Sequence, residues 1–511
     1  MNEYYLKKAY ANEPKLIYNT VSDYSCGRLV ADDGYFGWHL ESMPMPEALR
    51  NGDSFCLDFG DHWTGKLSFR LGYLDNYPDA PVQVKIKFAE TTQELAADFD
   101  TIQTGLCRSW LQQEMVYIDY PMEVKLPRRF AFRYIQVTVV ATPQVVTLSD
   151  FKITTETCAD MTVVPALKTQ DPDLIKLDRI GVKTTAECMQ RVFEDGPKRD
   201  HRLWLGDLRI EGLVNYLTFR NMDIVKKGLY LFAAAAKPGE RMPGAIYEDP
   251  MVALETKGIL LDYALFFGVS LNEYHLYTGD DALVDELFDI AHDQFVVTEQ
   301  ELDSRNLLIH DRSCWWCFVD HVDTLRKSAA AQAIAIYSAE HMRALCARTG
   351  RIEEEAYYTG LIERMRSAAV QYLYDSEENI FRSGPEEDQF SVHSQIWMIL
   401  ADGVTGERAK ALLRRALSDK TLVQPVSPYM HHFVLEAMMH LGMKEEARDF
   451  IMGYWGKMAE LGADTYWEVY IPGDRVKTTY GKNADPAITS YCHGWSCSVT
   501  YFIRKYFADM E

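Results

Sequence analysis

The sequence predicts an all-β sandwich domain followed by an all-α domain built as an (α/α)6 barrel. Up to about residue 158, apolar and polar residues alternate in short segments, which is the pattern of half-buried strands. From about residue 171 to the C-terminus, apolar residues instead recur with the 3.6-residue period of helices. About a dozen such helical segments follow one another with largely short connections, which fits six helical hairpins closed into a toroid.

Residues 1–158 are predicted to form the β-sandwich. Turn-forming stretches such as 32–34 and 76–79 separate the alternating segments, and many short strands without long helical patterns favour a jelly-roll type of sandwich. Segments 57–60 and 129–137 are interpreted as core strands that carry no obvious chemistry. The strands are predicted at 54–59, 65–72, 82–90 and 133–140.

Residues 159–511 are predicted to form the helical barrel. Several of its helices end in Gly-Asp, Thr-Gly or Leu-Gly, where glycine supplies a left-handed cap. An irregular α-solenoid is the alternative, but no fixed repeat period supports it. The helices are predicted at 171–193, 207–236, 254–278, 280–298, 324–349, 352–374, 389–402, 406–418, 428–441, 444–461 and 491–510.

The composition is that of a globular protein with an acidic balance. The net charge of −22 argues against nucleic acid or an anionic membrane as a partner. The first residues show neither an apolar run nor a cleavage site for export, so we expect a cytoplasmic protein with reduced cysteines. No pair of cysteines has the spacing of a zinc site with a matching second pair, and we expect no metal or other cofactor.

One stretch, residues 195–207, concentrates the residue types of a carbohydrate site. It contains three carboxylates, two arginines, a histidine and an indole within thirteen residues. Carboxylates bind sugar hydroxyls and move protons, arginine keeps them ionised, and tryptophan stacks on the apolar face of a sugar ring. The alternative is a solvated loop of paired charges. Gly196-Pro197 predicts a loop rather than a helix face, and Asp207 suits the N-terminus of the next helix.

Acids and indoles recur in other irregular segments between the helices. In a barrel, the longer loops gather at one rim, so residues far apart in sequence are expected to meet there. These segments are 241–249, 314–321, which contains Trp315, Trp316 and Asp320, 462–468, which ends at Glu468, and 491–495, which contains His493 and Trp495.

Three of these segments resemble motifs of glycoside hydrolase family 78, the inverting α-L-rhamnosidases. Residues 195–207 are similar to the family signature Asp-Cys-Pro-Gln-Arg-Asp-Glu-Arg-Leu-Gly-Trp-Thr-Gly-Asp. Residues 462–468 match Gly-Ala-Thr-Thr-x-Trp-Glu, except that Asp464 replaces a threonine, and Cys492-His493 matches a histidine motif before the last helix. The order of the β-domain and the helical domain also matches, so the resemblance covers most of the chain and makes the barrel the catalytic domain.

The resemblance implies roles for individual residues. Glu468 matches the general base. The other matching positions are implied to hold the sugar ring and its hydroxyls, and Trp315 or Trp316 would add stacking. The implied binding residues are Asp195, Arg199, His201, Trp204, Asp207, Trp315, Trp316, Asp320, His493 and Trp495.

The general acid is where the sequence departs from the family. The family has a glutamate after Arg-Asp, whereas this chain has Arg199-Asp200-His201-Arg202 and is one residue shorter before Trp204. Counting forward from Asp195 puts His201 at the acid position, and counting back from Trp204 puts Asp200 there. We favour Asp200, because the glycosidic oxygen needs a proton from a carboxylic acid in this chemistry.

The expected function is therefore an inverting glycosidase that releases L-rhamnose from small α-L-rhamnosides or oligosaccharides. A glycosidase of the same fold acting on another sugar, and a sugar-binding protein that has lost catalysis, are the alternatives. The chain is also expected to form a homodimer.

Overall fold

The computed structural model describes residues 2–508 except 75, 77–78, 104, 200, 249–252, 255–258, 311–315, 475–477 and 479–483; at 253–254 it describes the backbone only. Two residues that the sequence marks as candidates for the site, Asp200 and Trp315, lie outside the described residues.

The chain begins with a helix, α1 (Glu3–Ala11), and not with the strands predicted for residues 1–158. The side chain of Asn2 accepts a hydrogen bond from the amide of Tyr4 and thereby caps the helix. Tyr5 stacks on Tyr230 of the helical domain, with 6.4 Å between the ring centroids, and Lys8 pairs with Glu286 at 2.9 Å. The assignment of the first residues to the β-domain is therefore corrected: α1 packs on the helical domain.

The N-terminal domain is β-rich, as the alternating segments predict. Within the described residues, nine strands form one hydrogen-bonded antiparallel sheet, in the order β1-β9-β4-β8-β5-β6, with β2 and β7 also pairing with β4, and β3 pairing with β2. The division of this domain into the two packed layers of a sandwich remains a prediction. The strands are β1 (Ile17–Val21), β2 (Ser25–Ala31), β3 (Trp38–Ser42), β4 (Ser54–Tyr73), β5 (Val82–Ala89), β6 (Gln113–Ile118), β7 (Met122–Lys125), β8 (Phe130–Ala141) and β9 (Val146–Thr157), with the short helix α2 (Thr92–Ala96) after β5.

Strand β4 is the longest strand of the sheet. The two strands predicted at 54–59 and 65–72 are one strand of 20 residues, whose pairing with β8 shifts register between Asp58 and Trp63. An irregularity of this kind lets one strand bend and twist without ending. Alternate residues such as Phe55, Leu57 and Phe69 point into the apolar core of the domain.

The second domain is helical, as the 3.6-residue period predicts. Most helices lie close to their predicted bounds. They are α3 (Pro172–Cys188), α4 (Leu205–Leu217), α5 (Met222–Ala235), α6 (Leu261–Thr278), α7 (Asp281–Gln300), α8 (Ser328–Thr349), α9 (Ile352–Leu373), α10 (Val392–Leu400), α11 (Gly406–Ser418), α12 (Pro428–His440), α13 (Lys444–Ile451), α14 (Lys457–Glu460) and α15 (Ser498–Phe502).

Three predicted helices are interrupted or contain turns of another helix type. The helix predicted at 207–236 is two helices, because Arg220 adopts a left-handed backbone conformation and Asn221 caps α5 through the amide of Ile224. The helix predicted at 444–461 contains a π-helical turn at Met452–Gly456. The helix predicted at 491–510 begins with a 3₁₀ turn at Gly494–Cys497 and ends in a π-helical turn at Ile503–Phe507.

The contacts between the helices distinguish an inner set from an outer set. Helix α6 is buried along most of its length, whereas α11 buries only four apolar residues on one face. In the inner set, α4 contacts α6, α6 contacts α8, α8 contacts α10, and α10 contacts α12. The C-terminal turn Gly494–Cys497 contacts both α12 and α4, so the succession of contacts returns to its first helix. Short hairpin connections place α5, α7, α9 and α11 outside this set.

Two arginines at the beginning of β8 join the two domains. Arg129, just before the strand, donates to both carboxylate oxygens of Glu194 at 2.7 Å, and Arg133 bridges Asp58 and Asp464, each at 2.8 Å. The interpretation of segments 57–60 and 129–137 as strands without chemistry is therefore incomplete. Asp464 is the residue at which the chain departs from the Gly-Ala-Thr-Thr motif, and its contact with Arg133 gives that departure a structural role.

Across the part of the chain that the structure describes, no helix combines the length and the apolar character needed to cross a lipid bilayer.

Candidate active site

A cavity of about 260 Å³ lies where the loops of the helical domain meet the β-domain. Its volume is below the roughly 300–1,000 Å³ of pockets that enclose drug-sized ligands, and it suits one sugar ring. The residues that line it are Leu106, Trp110, Asp195, Arg199, Arg202, Trp204, Asp207, Leu260, Tyr263, Trp316, Phe318, His321, Glu468, His493 and Trp495.

The cavity brings together most of the residues predicted from the sequence. All but two of those that the structure describes line it, and they come from four separate loops. The two exceptions are His201 and Asp320. Burial divides the lining: the acids Asp195, Asp207 and Glu468 are almost fully buried, whereas Trp316 is 46% exposed and Leu106 is 37% exposed. The acids therefore lie deep in the cavity, and these two apolar side chains lie at its rim.

The loop before α4 is closed on itself by backbone contacts. The amide of Asp195 donates to the carbonyl of Arg202 at 3.0 Å, and its Oδ1 accepts hydrogen bonds from the amides of Gly196 and Arg202. His201 has a φ of 54°, and its Nε2 donates to the carbonyl of Pro197 at 2.5 Å. The ring of His201 is therefore directed back at its own loop, which explains why it does not line the cavity.

Glu468 is held by a charged donor and by a backbone amide. Its Oε2 accepts a hydrogen bond from Nη2 of Arg199 at 2.5 Å and another from the amide of Ser490 at 2.9 Å. Burial alone would raise the pKa of Glu468, but the charges of Arg199, His493 and His321 hold that pKa well below its usual range. Glu468 is therefore a carboxylate at neutral pH and can accept a proton.

Asp207, His493 and Trp495 form another part of the cavity wall. Asp207 lies in the first turn of α4, where the helix dipole favours a negative charge. Nδ1 of His493 lies 3.6 Å from Oδ1 of Asp207, and the imidazole stacks on the indole of Trp495 with 4.0 Å between the ring centroids. Nε1 of Trp495 donates to the carbonyl of Glu468 at 3.1 Å, so this group is also fixed to the acid loop.

A buried acid supports this part of the cavity from behind. Glu211, one turn after Asp207 in α4, is fully buried, and burial, then the charge of Asp207, raises its pKa well above the usual range. A Cβ atom at position 494 would lie 2.5 Å from the carboxyl carbon of Glu211. The glycine of the Cys-His-Gly-Trp segment is therefore required for close packing of His493 and Trp495 against α4.

Asp320 does not take the position expected of it. Its buried carboxylate accepts hydrogen bonds from Nε2 of His393 at 2.8 Å, from Oγ of Ser427 at 2.6 Å and from the amide of Val426 at 2.9 Å. Burial opposes ionisation, but these donors lower the pKa of Asp320 to about 2. The expected contact of Asp320 with a sugar hydroxyl is therefore corrected: the side chain anchors its loop behind the cavity wall.

Several lining residues are not predicted from the sequence. Arg202 and His321 lie within the candidate segments, so their residue types give a usable signal. Tyr263 lies on the buried face of α6, where a tyrosine is indistinguishable from a core residue in sequence. Trp110 comes from the β-domain, and the guanidinium groups of Arg199 and Arg202 lie 5.7 and 5.3 Å from its ring centroid. No pattern near Trp110 relates it to loops that follow it by some ninety residues.

The described residues contain no group of three or more histidine, cysteine, aspartate or glutamate side chains arranged to hold a metal ion.

Comparison with known proteins identifies the family. The model of the glycosyl hydrolase family 78 alpha-rhamnosidase N-terminal domain matches residues 37–157, and the model of the bacterial alpha-L-rhamnosidase 6 hairpin glycosidase domain matches residues 164–507. The chain belongs to glycoside hydrolase family 78. The resemblance seen in its motifs is thereby confirmed, and the protein is a glycoside hydrolase.

Solved structures agree with this family 78 assignment. A rhamnosidase from Klebsiella oxytoca with rhamnose bound is 34% identical, with a TM-score of 0.94, and the match covers 99% of each chain. A family 78 rhamnosidase of Bacillus sp. GL1 is 21% identical, with a TM-score of 0.76, over 93% of this chain and 50% of that one. An α-L-rhamnosidase of Streptomyces avermitilis complexed with L-rhamnose is 18% identical, with a TM-score of 0.67, over 96% of this chain and 44% of that one. The last two show the fold alone. The comparison with curated protein sequences finds no significant match.

Proposed function

We propose that this family 78 enzyme releases L-rhamnose from α-L-rhamnosides by an inverting mechanism, with Asp200 as general acid and Glu468 as general base. The observation that carries the proposal is the ionised Glu468, held by Arg199 in a cavity of one-sugar size. The rhamnosidase from Klebsiella oxytoca has rhamnose bound. This supports rhamnose as the sugar, because the two chains match over nearly their whole length.

The inner helices are proposed to form the closed (α/α)6 barrel that the sequence predicts. The C-terminal turn Gly494–Cys497 contacts both α12 and α4, and these contacts support the closure of the barrel. A barrel of this kind brings the loops before its inner helices to one rim, which accounts for the meeting of residues 195–207, before α4, with residues 468 and 493, before the C-terminal turn.

In the proposed reaction, Glu468 deprotonates a water molecule that attacks the anomeric carbon. Asp200 protonates the glycosidic oxygen on the other face of the ring, so that the bond to the leaving group breaks as the new bond forms. Asp195 and Asp207 stabilise the positive charge that develops on the ring, and the indoles of the cavity pack against its apolar parts. Both proton transfers use side chains, so the reaction needs neither a metal nor an organic cofactor.

The placement of His201 supports Asp200 as the acid. His201 is the other residue at the acid position by sequence counting, but its Nε2 donates to the carbonyl of Pro197 and its ring does not line the cavity. Because Asp200 lies outside the described residues, its distance to Glu468 stays a prediction: about 6.5–9.5 Å between the carboxyl groups, which leaves room for the water.

The rim of the cavity is proposed to face the leaving group. Trp316 and Leu106 are the most exposed of the lining residues, and both are apolar. A sugar that enters with its anomeric carbon toward Glu468 would place its substituent between them. The proposal therefore predicts action on terminal rhamnose.

The test is hydrolysis of 4-nitrophenyl α-L-rhamnoside beside the matching aryl glycosides of glucose, galactose and mannose. The wild type should hydrolyse the rhamnoside and favour it strongly. Glu468→Gln should lower kcat by about a thousandfold or more, since it removes the proton acceptor for the water. Asp200→Asn should lower kcat about as much for a rhamnoside with an alcohol as leaving group, and less for the 4-nitrophenyl rhamnoside, because 4-nitrophenolate departs without needing a proton. Glu407→Gln, which removes an exposed carboxylate that pairs with Lys410 on α11, is the matched control and should keep full activity. Full activity of Glu468→Gln, or a preference for another sugar, would contradict the proposal.

A further inference from the structure

The β-domain contributes a buried carboxylate whose contacts mirror those of Glu468. Glu90 directly follows β5, and its side chain is inaccessible to solvent. Its Oε2 accepts a hydrogen bond from the amide of Tyr491 at 2.6 Å and lies 3.1 Å from Nζ of Lys198. Its Oε1 lies 3.0 Å from Nε2 of His62. Glu90 therefore binds two segments of the helical domain at once.

Both segments that Glu90 binds also donate to Glu468. Lys198 directly precedes Arg199, whose guanidinium group donates to Oε2 of Glu468 at 2.5 Å. The two neighbouring basic residues thus face two different carboxylates, one from each domain. A shift of this segment away from Glu90 displaces the charged donor of Glu468.

The second segment repeats the arrangement with backbone amides. Tyr491 directly follows Ser490, and the amide of Ser490 donates to Oε2 of Glu468 at 2.9 Å. The successive amides of Ser490 and Tyr491 therefore bind Glu468 and Glu90, respectively. The two carboxylates hold the same pair of segments from opposite sides.

Lys198 makes this connection rigid. Its ammonium group is buried and donates to the carbonyls of Ala487 and Thr489 at 3.1 and 2.6 Å, and Oε1 of Glu94 lies 3.2 Å away. A buried ammonium group that loses a carboxylate partner is strongly destabilised, so the lysine cannot leave its place at little cost.

We propose that Glu90 is a positioning residue for catalysis: through Lys198 and Tyr491 it fixes the two segments that orient Glu468. It contacts neither the sugar nor the reacting atoms, because it does not line the cavity. The inference rests on the proposed role of Glu468 as general base. It gives the β-domain a function in the reaction beyond covering the helical domain.

The test is Glu90→Gln in the full-length protein, with kcat, KM and the Kd of rhamnose measured for the same substrate. The amide oxygen can still accept the bond from Tyr491, but the negative charge of this residue opposite Lys198 is lost. We expect kcat to fall about 10–100-fold, because a displacement of an ångström or less at a catalytic group has an effect of this size. KM and the Kd of rhamnose should change by a smaller factor than kcat, since Asp207 lies on α4, outside the two segments that Glu90 binds.

Glu187→Gln is the matched control. Glu187 is also a buried carboxylate at the domain interface, but it pairs with Lys183 of its own helix at 2.8 Å and lies 3.6 Å from His62. Neither of these two ion pairs includes a residue of the segments around Arg199 and Ser490 that donate to Glu468. The substitution should lower the melting temperature and leave kcat within about twofold.

A double variant tests whether Glu90 and Lys198 act as one unit. Glu90→Gln/Lys198→Met should lose no more activity than the stronger of its two single variants, because each single change already breaks the shared contact. Activity losses that multiply would show that the two residues act independently and would contradict the proposed connection.

The outcomes separate the positioning role from the proposed function. If the wild type does not hydrolyse rhamnosides, or if Glu468→Gln is fully active, the proposed function fails. If those controls behave as expected and Glu90→Gln keeps wild-type kcat while losing stability as Glu187→Gln does, Glu90 is only structural and the inference is overturned. If Glu90→Gln fails to fold, Lys198→Arg is the second variant, because it keeps the positive charge but changes the length and shape of the side chain that reaches Glu90. A folded Lys198→Arg protein with unchanged kcat would also overturn the inference.

Discussion

Arg199 donates a hydrogen bond of 2.5 Å to Glu468, although 269 positions of sequence separate the two residues. Both side chains are almost fully buried, at 3% and 1% exposure. A buried ion pair with good geometry keeps both partners charged, and here it also fixes the orientation of the carboxylate. The position and charge of the Glu468 carboxylate thus depend on a contact between two loops that lie near opposite ends of the helical domain's sequence.

Arg199→Met should therefore change both the activity and its pH dependence. Without the guanidinium, burial dominates and the pKa of Glu468 rises. The acidic limb of the profile of kcat/KM against pH should move to higher pH, and kcat/KM at neutral pH should fall about a hundredfold or more. Arg199→Lys keeps the charge but loses the planar geometry, so its pH profile and its kcat/KM should lie between those of the wild type and of Arg199→Met. An acidic limb that stays in place would contradict the electrostatic role of Arg199.

Asp320→Asn should affect stability through its anchoring contacts. Loss of the buried carboxylate should lower the free energy of unfolding by about 3–5 kcal/mol at pH 7, measured by urea unfolding. The pKa of Asp320 is about 2 in the folded protein, below the roughly 3.9 of an unfolded chain. Its contribution is therefore present above about pH 4 and is lost as the pH falls toward about 2. The variant should show a shallower loss of stability over that interval, and an equally steep loss would contradict the assignment.

Trp110→Ala should weaken substrate binding from the side of the β-domain. Trp110 lines the cavity and lies against the guanidinium groups of Arg199 and Arg202. If the indole contributes about 1 kcal/mol to substrate binding, its loss should raise the KM for an aryl rhamnoside about fivefold. Trp38→Ala removes another partly exposed indole of the same domain that does not line the cavity, and it should leave KM unchanged. Equal effects of the two substitutions would show that Trp110 acts only through stability.

Features that depend on neighbouring residues are predicted from the sequence, whereas features that depend on tertiary packing are not. The period of apolar residues predicts α11 at its observed bounds, and the motifs predict that Glu468 and His493 meet. The break between α4 and α5 is not predicted, because no glycine or proline marks it and the left-handed residue is Arg220. Helix α1 is not predicted because it is short and its stability comes from packing on residues such as Tyr230.

The features of the site that the sequence does not predict also depend on contacts between residues far apart in the chain. Asp320 has the residue type of a sugar ligand, and only its distant partners His393 and Ser427 show that its oxygens are occupied. Trp110 and Glu90 lie in the β-domain, whose relation to the loops of the helical domain is a property of the domain interface and not of a sequence period. The homodimer and the cytoplasmic location remain predictions.

Whether Glu468 activates a water molecule across the sugar from Asp200 is decided by the configuration of the first product. Proton NMR of the anomeric signal during early hydrolysis of an α-L-rhamnoside distinguishes the two anomers before they equilibrate. The mechanism predicts that β-L-rhamnose appears first and α-L-rhamnose only later, by mutarotation. Initial release of α-L-rhamnose would contradict it.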